Sequence, residues 1–172
     1  MSLVNESGKV ILDCPEEAVS VGLNKKHENK IDREPAQATF QVKRGQPRFT
    51  IASVHLVPTA KKPANEVPWL FDSVDEIKGV IIVVGDFNLG SSHQAFKKAY
   101  DLKFVPVLDA VPTSLKMNTR SLNQAYDNLW VRGAKMKEST VVDLYRALPS
   151  MGQKDIYNNV SDHSPVSAVF GM

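Results

Sequence analysis

The sequence predicts an α+β domain whose mostly antiparallel sheet carries helices on one face. Three observations support this. The segments run in the order β-β-α-β-α-loop-β-β-β; one helix shows a single apolar stripe; and one strand is apolar enough to be buried on both faces. At 172 residues, with 42% hydrophobic and 23% charged residues, the chain suits one ordinary domain, residues 1–172, with a real core.

Residues 21–37, "VGLNKKHENKIDREPAQ", are polar and uneven and predict a mobile loop. Ala38–Arg44 and Arg48–Leu56 are β-like, and "GQP" between them signals a hairpin. Val67, Leu70, Phe71, Val74 and Ile77 recur at helical spacing behind Pro68, a first-turn residue, and this helix should stop near Gly79. "VIIVVGDFNLG" then opens as a buried strand and breaks at Gly85. Beyond the break, Asp86 and Asn88, two apart on an extended segment, point the same way. A short helix over Ser92–Tyr100 should follow, capped by Ser91 or Ser92. "PVLDAVPTSLKMNTRSLNQ" is loop-like, "AYDNLWVRG" and "STVVDLY" are β-like, and "NNVSDHSPVSAVF" is a polar turn before a last alternating strand.

Bulk properties exclude several classes. No apolar run approaches a membrane span, the start of the chain lacks the features of a signal peptide, and a lone Cys14 allows no intrachain disulfide; an intracellular protein is favoured. A net charge of +2 does not by itself imply a polyanionic partner. The cations nevertheless cluster, at Lys25, Lys26 and Lys30; Lys43, Arg44 and Arg48; Lys61 and Lys62; and Lys97, Lys98 and Lys103. Such clusters are either solvated faces or a path for phosphates.

Polar chemistry gathers at the strand ends: His55 closes "TIASVH", Asp86 and Asn88 close "VIIVVGDFN", Asp127 opens "DNLWV", and Asp162 with His163 precedes "SPVSAVF". Taken singly each has a plain explanation, as a turn residue, an Asx turn or a hydrogen-bonded core histidine. Brought to one sheet edge, the carboxylates would repel one another, and a cation, or a phosphate hydrogen-bonded to imidazolium, would hold the group together. Oxygen ligands suit Mg²⁺, Mn²⁺ or Ca²⁺, and imidazoles hold phosphoryl oxygens or move protons. The combination points to metal-assisted attack of water on a phosphate ester.

From about Ile31 to Phe170 the blocks "DREPAQATFQV", "ASVHLVP", "VVGDFNLG", "QAYDNLWVRG" and "SDHSPVSAVF" resemble the endonuclease/exonuclease/phosphatase superfamily, and within it the deoxyribonuclease I-like branch. The resemblance implies a four-layer α/β/β/α sandwich, of which this chain carries mainly the second sheet and its helices. It also implies divalent-metal-dependent cleavage of phosphate esters, with Mg²⁺, Mn²⁺ or Ca²⁺ as cofactor and DNA as partner. Carried over residue by residue, His163, oriented in related enzymes by a carboxylate, is a catalytic imidazole, and Asp162 a metal or phosphate-site acid. Asp86 orients or deprotonates water and shares the metal, and Asn88 bonds the scissile phosphate. His55 is a second imidazole that Asp127 helps orient, unless Asp127 serves the metal site, and Arg33 touches the nucleic-acid backbone.

The chain also departs from the pattern. The superfamily's first half supplies a strand-end Asn and a metal-binding Glu, and the branch adds a Glu that pairs with the histidine matching His55; Asn5, Glu6, Glu16 and Glu17 match none of these contexts. A short first half should leave one sheet face open to self-association or a partner chain. Where secreted members place a disulfide, this chain has Ser91 or Ser92 and Asn123 or Gln124, against the secreted digestive type. Three readings follow: a deoxyribonuclease I-like endonuclease, an inactive relative that binds nucleic acid or protein, and a phosphatase of small or lipid phosphate esters. If the two histidines act in opposite protonation states, the rate should follow a bell-shaped pH profile.

Overall fold

The β-branched run beginning at Val80 forms the middle strand of the larger sheet, β3 (Val80–Asp86), buried on both faces over Ile81–Val83. The structure is a computed structural model and describes residues 29–41 and 47–171. The larger sheet has the order β1-β2-β3-β5-β4, with β1 at Ala36–Gln41, β2 at Arg48–His55, β4 at Val105–Pro106 and β5 at Asp127–Arg132. All its pairs are antiparallel except β2 with β3. A parallel pair needs a crossover in place of a tight turn, and helix α1 (Val67–Asp75) lies in that connection.

Strand alternation separates two cores. On one face, Ile81 and Val83 of β3 and Trp130 of β5 are fully buried with Val67, Leu70, Phe71 and Val74, the stripe expected for α1. Aromatic rings fill this layer: Trp130 stacks on Phe96 at 4.5 Å between centroids and meets the edge of Phe71 at 5.5 Å. On the other face, Phe49, Ile82 and Val131 are buried against Val141, Val166, Ala168 and Phe170. Those four belong to a second, two-stranded antiparallel sheet, β6 (Lys135–Val141) with β7 (Val166–Gly171). The molecule is thus a mixed α+β fold with helices, a large sheet and a small sheet in layers. The second face is not left bare, as the short first half suggested. The β6–β7 ladder covers part of it, leaving Ile51, Val84 and Leu129 half-buried and Ser53 exposed.

Several local expectations are corrected. Strand β1 begins at Ala36 rather than Ala38, and of the loop expected over 21–37, residues 21–28 lie outside the described residues. So do residues 42–46, which hold most of the expected hairpin turn, although β1 and β2 pair antiparallel as a hairpin requires. Helix α1 ends at Asp75, and Ile77 reaches the same core from the segment that follows. The helix expected over Ser92–Tyr100 starts as a 3-10 turn at Gln94–Phe96 and continues as α2 (Lys97–Asp101). Its cap is His93, whose Nδ1 accepts from the Ala95 N–H (3.1 Å), in place of Ser91 or Ser92.

"STVVDLY" is divided between a strand and a helix. Asp143 accepts from the N–H groups of Tyr145 and Arg146 and so caps α3 (Leu144–Ala147), because a carboxylate there satisfies orphan donors that a continued strand would not offer. The loop-like stretch before β5 holds an antiparallel bridge, Leu115 with Leu122. Leu115 shares a small core with Leu144 and Tyr145 of α3 and with Ile156 of α4 (Gln153–Asn159). No helix among the described residues is long and apolar enough to cross a membrane.

Candidate active site

Strand register brings the predicted residues together. Across β2 and β3, His55 pairs with Asp86, and across β3 and β5, Asp86 pairs with Asp127, so the three form one row at one end of the sheet. All three share the strand parity of Phe49, Ile82 and Val131, which places them on the face turned toward β6 and β7. His163 joins them from the turn before β7. There its backbone bridges to Ser114, and its Nδ1 lies 2.6 Å from Asp127 Oδ2. Asp86 Oδ2 lies 4.0 Å from His163 Nε2 and 3.7 Å from His55 Nε2.

The turn after β3 serves two purposes at once. Phe87 is fully buried against Phe96, and its N–H bonds the Tyr126 carbonyl (2.9 Å), so the chain is anchored between the acid and the amide. Asp86 Oδ1 accepts the Asn88 N–H (2.7 Å), which closes an Asx turn. Asn88 takes up left-handed backbone (φ 50°), which its short polar side chain tolerates. Its Nδ2 donates to the Leu56 carbonyl (3.0 Å) and to Asp86 Oδ2 (3.2 Å). In this arrangement Asn88 is hydrogen-bonded to both oxygens of Asp86. Asp127 pairs with His163 rather than His55.

The two remaining predicted residues lie outside this cluster. The side chain of Asp162 is exposed and its carbonyl accepts the Leu115 N–H (2.7 Å); it is absent from the group of possible metal ligands, and its charge acts on His163 at longer range. Arg33 is exposed and precedes β1, whose first residue pairs with Ser53, so it flanks the same end of the sheet as His55.

Sequence reasoning missed two anchoring residues. Thr113 is fully buried, and its Oγ1 accepts from the N–H groups of Asp127 (3.0 Å) and Tyr126 (3.2 Å) while its carbonyl accepts the Ser164 N–H (2.7 Å). It therefore ties the segment carrying Asp127 to the segment carrying His163. No spacing rule marks a single threonine in a polar loop. Thr113→Val keeps the shape but strips two N–H groups of their acceptor, and should cost about 2 kcal/mol in urea unfolding, with Thr113→Ser retaining most of that. The second is Glu66, buried at 6% exposure, which accepts the Asp32 N–H (2.7 Å) on one oxygen and the Val57 N–H (2.8 Å) on the other.

Electrostatics follow from this packing. Burial, reinforced by the Asp127 charge, raises the Asp86 carboxyl above its usual range, while the Asn88 N–H and both imidazoles pull it down. The hydrogen bond that His163 donates to Asp127 raises His163 above the ordinary 6.5, overcoming the opposite effect of burial. Both groups bind their proton more tightly folded than unfolded, so each contributes stability at low pH that is lost as pH rises through its folded value. For His163 that window opens near 6.5 and extends upward to its raised value. In chelator-treated protein the urea midpoint should therefore fall as pH rises through this window, and Asp127→Asn should remove the step.

Asp86, Asp127 and His163 offer ligand atoms that all lie within 4.8 Å of one another. Two carboxylates, one of them disfavoured as an anion by burial, form a donor set that a divalent cation would relieve, and carboxylate oxygen suits Mg²⁺ or Mn²⁺. The Asp127–His163 bond engages one Asp127 oxygen and Nδ1, and His163 Nε2 lies 4.0 Å from Asp86 Oδ2.

No family model matches the chain. A deoxyribonuclease of Thioalkalivibrio is 26% identical over 160 residues, covering 83% of this chain and 44% of that protein. Among solved structures, a Neisseria 3′ phosphatase bound to product DNA hairpin superposes with a TM-score of 0.60 at 20% identity, covering 88% of this chain and 69% of the phosphatase. An endonuclease/exonuclease/phosphatase family protein of Bacteroides thetaiotaomicron gives 0.56 at 18% identity, covering 80% and 56%. The chain thus spans less than half the length of the curated relative it matches. The fold is that of the endonuclease/exonuclease/phosphatase proteins. The deoxyribonuclease I-like resemblance seen in the five motif blocks is supported by the Thioalkalivibrio relative.

Proposed function

We propose that this chain carries the acid and imidazole part of a divalent-metal-dependent phosphodiesterase, a deoxyribonuclease I-like endonuclease that hydrolyses DNA with water. The observation that carries the reading is the row His55, Asp86 and Asp127 with His163 hydrogen-bonded at its end. Asp127 fixes the tautomer of His163 and favours its imidazolium, so Nε2 donates to a phosphoryl oxygen. Asp86, less acidic than a solvated carboxylate, orients the attacking water and accepts its proton. His55, with its side chain 57% exposed, is open to substrate and delivers a proton to the leaving oxygen. Asn88 holds Asp86 in place, Asp162 adds negative charge near His163, and Arg33 contacts a backbone phosphate. A divalent ion bound by Asp86 and Asp127 would supply charge neutralisation at the phosphate.

Nicking of supercoiled plasmid tests the proposal, run with Mg²⁺ or Mn²⁺, with chelator, and with His163→Ala. Metal-dependent nicking lost in both controls is the expected result. The Neisseria neighbour makes a second reading specific, release of phosphate from a 3′-phosphorylated DNA end. Phosphate release without nicking would replace the endonuclease reading with that one, and neither activity at any metal concentration would sink both for this chain.

A further inference from the structure

We propose that Lys61 and Lys62 form a second phosphate-binding point beside the catalytic row, taking a non-scissile backbone phosphate of the bound DNA; this rests on the nuclease reading above. Of the cation clusters visible in the sequence, the one around α2 is partly engaged within the protein: Lys97 with Asp101 and Lys98 with Asp72, both at 2.6 Å. Elsewhere, Arg132 bonds Asp75, Arg120 bonds main-chain carbonyls, and Lys30 lies over the Trp69 ring. Arg48 begins β2, at the end of the sheet away from His55. Lys61 and Lys62 follow His55 closely, both are exposed, and neither has a carboxylate partner among the described residues.

Their turn is held in place where a solvated lysine pair would not need it. Glu66 ties the turn's entry at Val57 to Asp32, next to Arg33. The Thr59 hydroxyl bonds the Asn88 carbonyl (3.2 Å) and the Tyr126 hydroxyl (3.1 Å), so the turn is fastened to two segments of the site. Lys62 sits in left-handed backbone (φ 62°, ψ 67°) between two 3-10 turns and contributes to both: its N–H bonds Thr59 and its carbonyl accepts from Asn65. That conformation suits glycine or asparagine, and a strained non-glycine residue beside a site is a pointer to function. With Arg33 exposed at the same end of the sheet as His55, the cations fit a strand with several phosphates and would be idle with a lone phosphate ester.

The test is binding of a fluorescein-labelled 20-base-pair DNA duplex, measured by anisotropy over a salt series with chelator present so that turnover is not needed. Lys61→Gln/Lys62→Gln should weaken binding about 10-fold and flatten the log–log salt slope by roughly 1–2, since each neutralised phosphate contributes about 0.9. Lys62→Gly should flatten it by about half as much while unfolding no earlier than wild type. Hydrolysis of bis(p-nitrophenyl) phosphate, which has no second phosphate, should stay within twofold for the double variant. An unchanged affinity and slope, or a wild type that does not bind the duplex, would overturn the proposal. Wild-type protein that binds the duplex without cleaving it would instead count against the catalytic reading, and the salt slopes would still decide the role of the lysines.

Discussion

Asp127→Asn should lower DNA nicking by about 10³- to 10⁴-fold while leaving the fold and the KM for DNA close to wild type, the scale seen when a carboxylate that orients an imidazole is neutralised elsewhere. The expectation follows from geometry and charge together. Asp127 Oδ2 receives the Nδ1 proton of His163 at 2.6 Å, which turns Nε2 toward Asp86 and raises the imidazole's affinity for a proton. An asparagine keeps the volume and the backbone bond to Thr113, but it can present an N–H where an acceptor is needed and it carries no charge. Steady-state kinetics with saturating Mn²⁺ checks this. A loss expressed in kcat supports the dyad, whereas activity within threefold of wild type would reduce the pair to a structural contact. A profile shifted to lower pH in any residual activity would further trace the effect to His163, because the largest cause of its raised pKa would be gone.

The second large effect should come from Gly85→Ala, expected to destabilise by about 4 kcal/mol or more, enough to unfold a marginal domain. Gly85 has a φ of +146°, and a Cβ there would lie 1.9 Å from the Val54 carbonyl oxygen, an overlap that backbone on the neighbouring strand cannot escape. Backbone strain and overpacking each cost roughly 1–3 kcal/mol, and here they act at one atom. Gly85 pairs with Val54 and immediately precedes Asp86, so any displacement also breaks the row that pairs His55 with Asp86. Gly79→Ala is the control. It too has positive φ (+84°), but its nearest neighbour would be 3.9 Å away, so it should cost only the backbone term of about 1 kcal/mol. Equal midpoints for the two variants in urea unfolding would show that the close approach to Val54 does not matter.

Much of the candidate site could be read before folding because its residues sit at strand ends, where apolar runs break abruptly. The run into Gly85-Asp86-Phe87-Asn88 is such a break, and the alternation before His55 and after Asp127 marks the others. What could not be read was pairing. That β2 lies parallel to β3, and that Asp127 turns to His163 rather than His55, depends on strand order, and sequence carries no local trace of strand order. Asp143 shows the opposite failure. A single cap residue converted the end of an expected strand into helix, because β-branched neighbours and a capping carboxylate make competing local statements.

The residues of this chain dictate, without reference to any contact, which titratable side chains stand at the ends of apolar strands. Hydrophobic periodicity requires that much, since each strand must bury a face and release its polar residues where burial ends. The folded arrangement alone decides which of those side chains meet. Register puts His55, Asp86 and Asp127 in one row. The buried Thr113 holds the loop that presents His163 to Asp127. Partial burial then makes Asp86 less acidic and the Asp127 bond makes His163 more basic. Proton affinities depend on solvent exclusion and on charges a few ångströms away, and both quantities come into being only when distant segments meet.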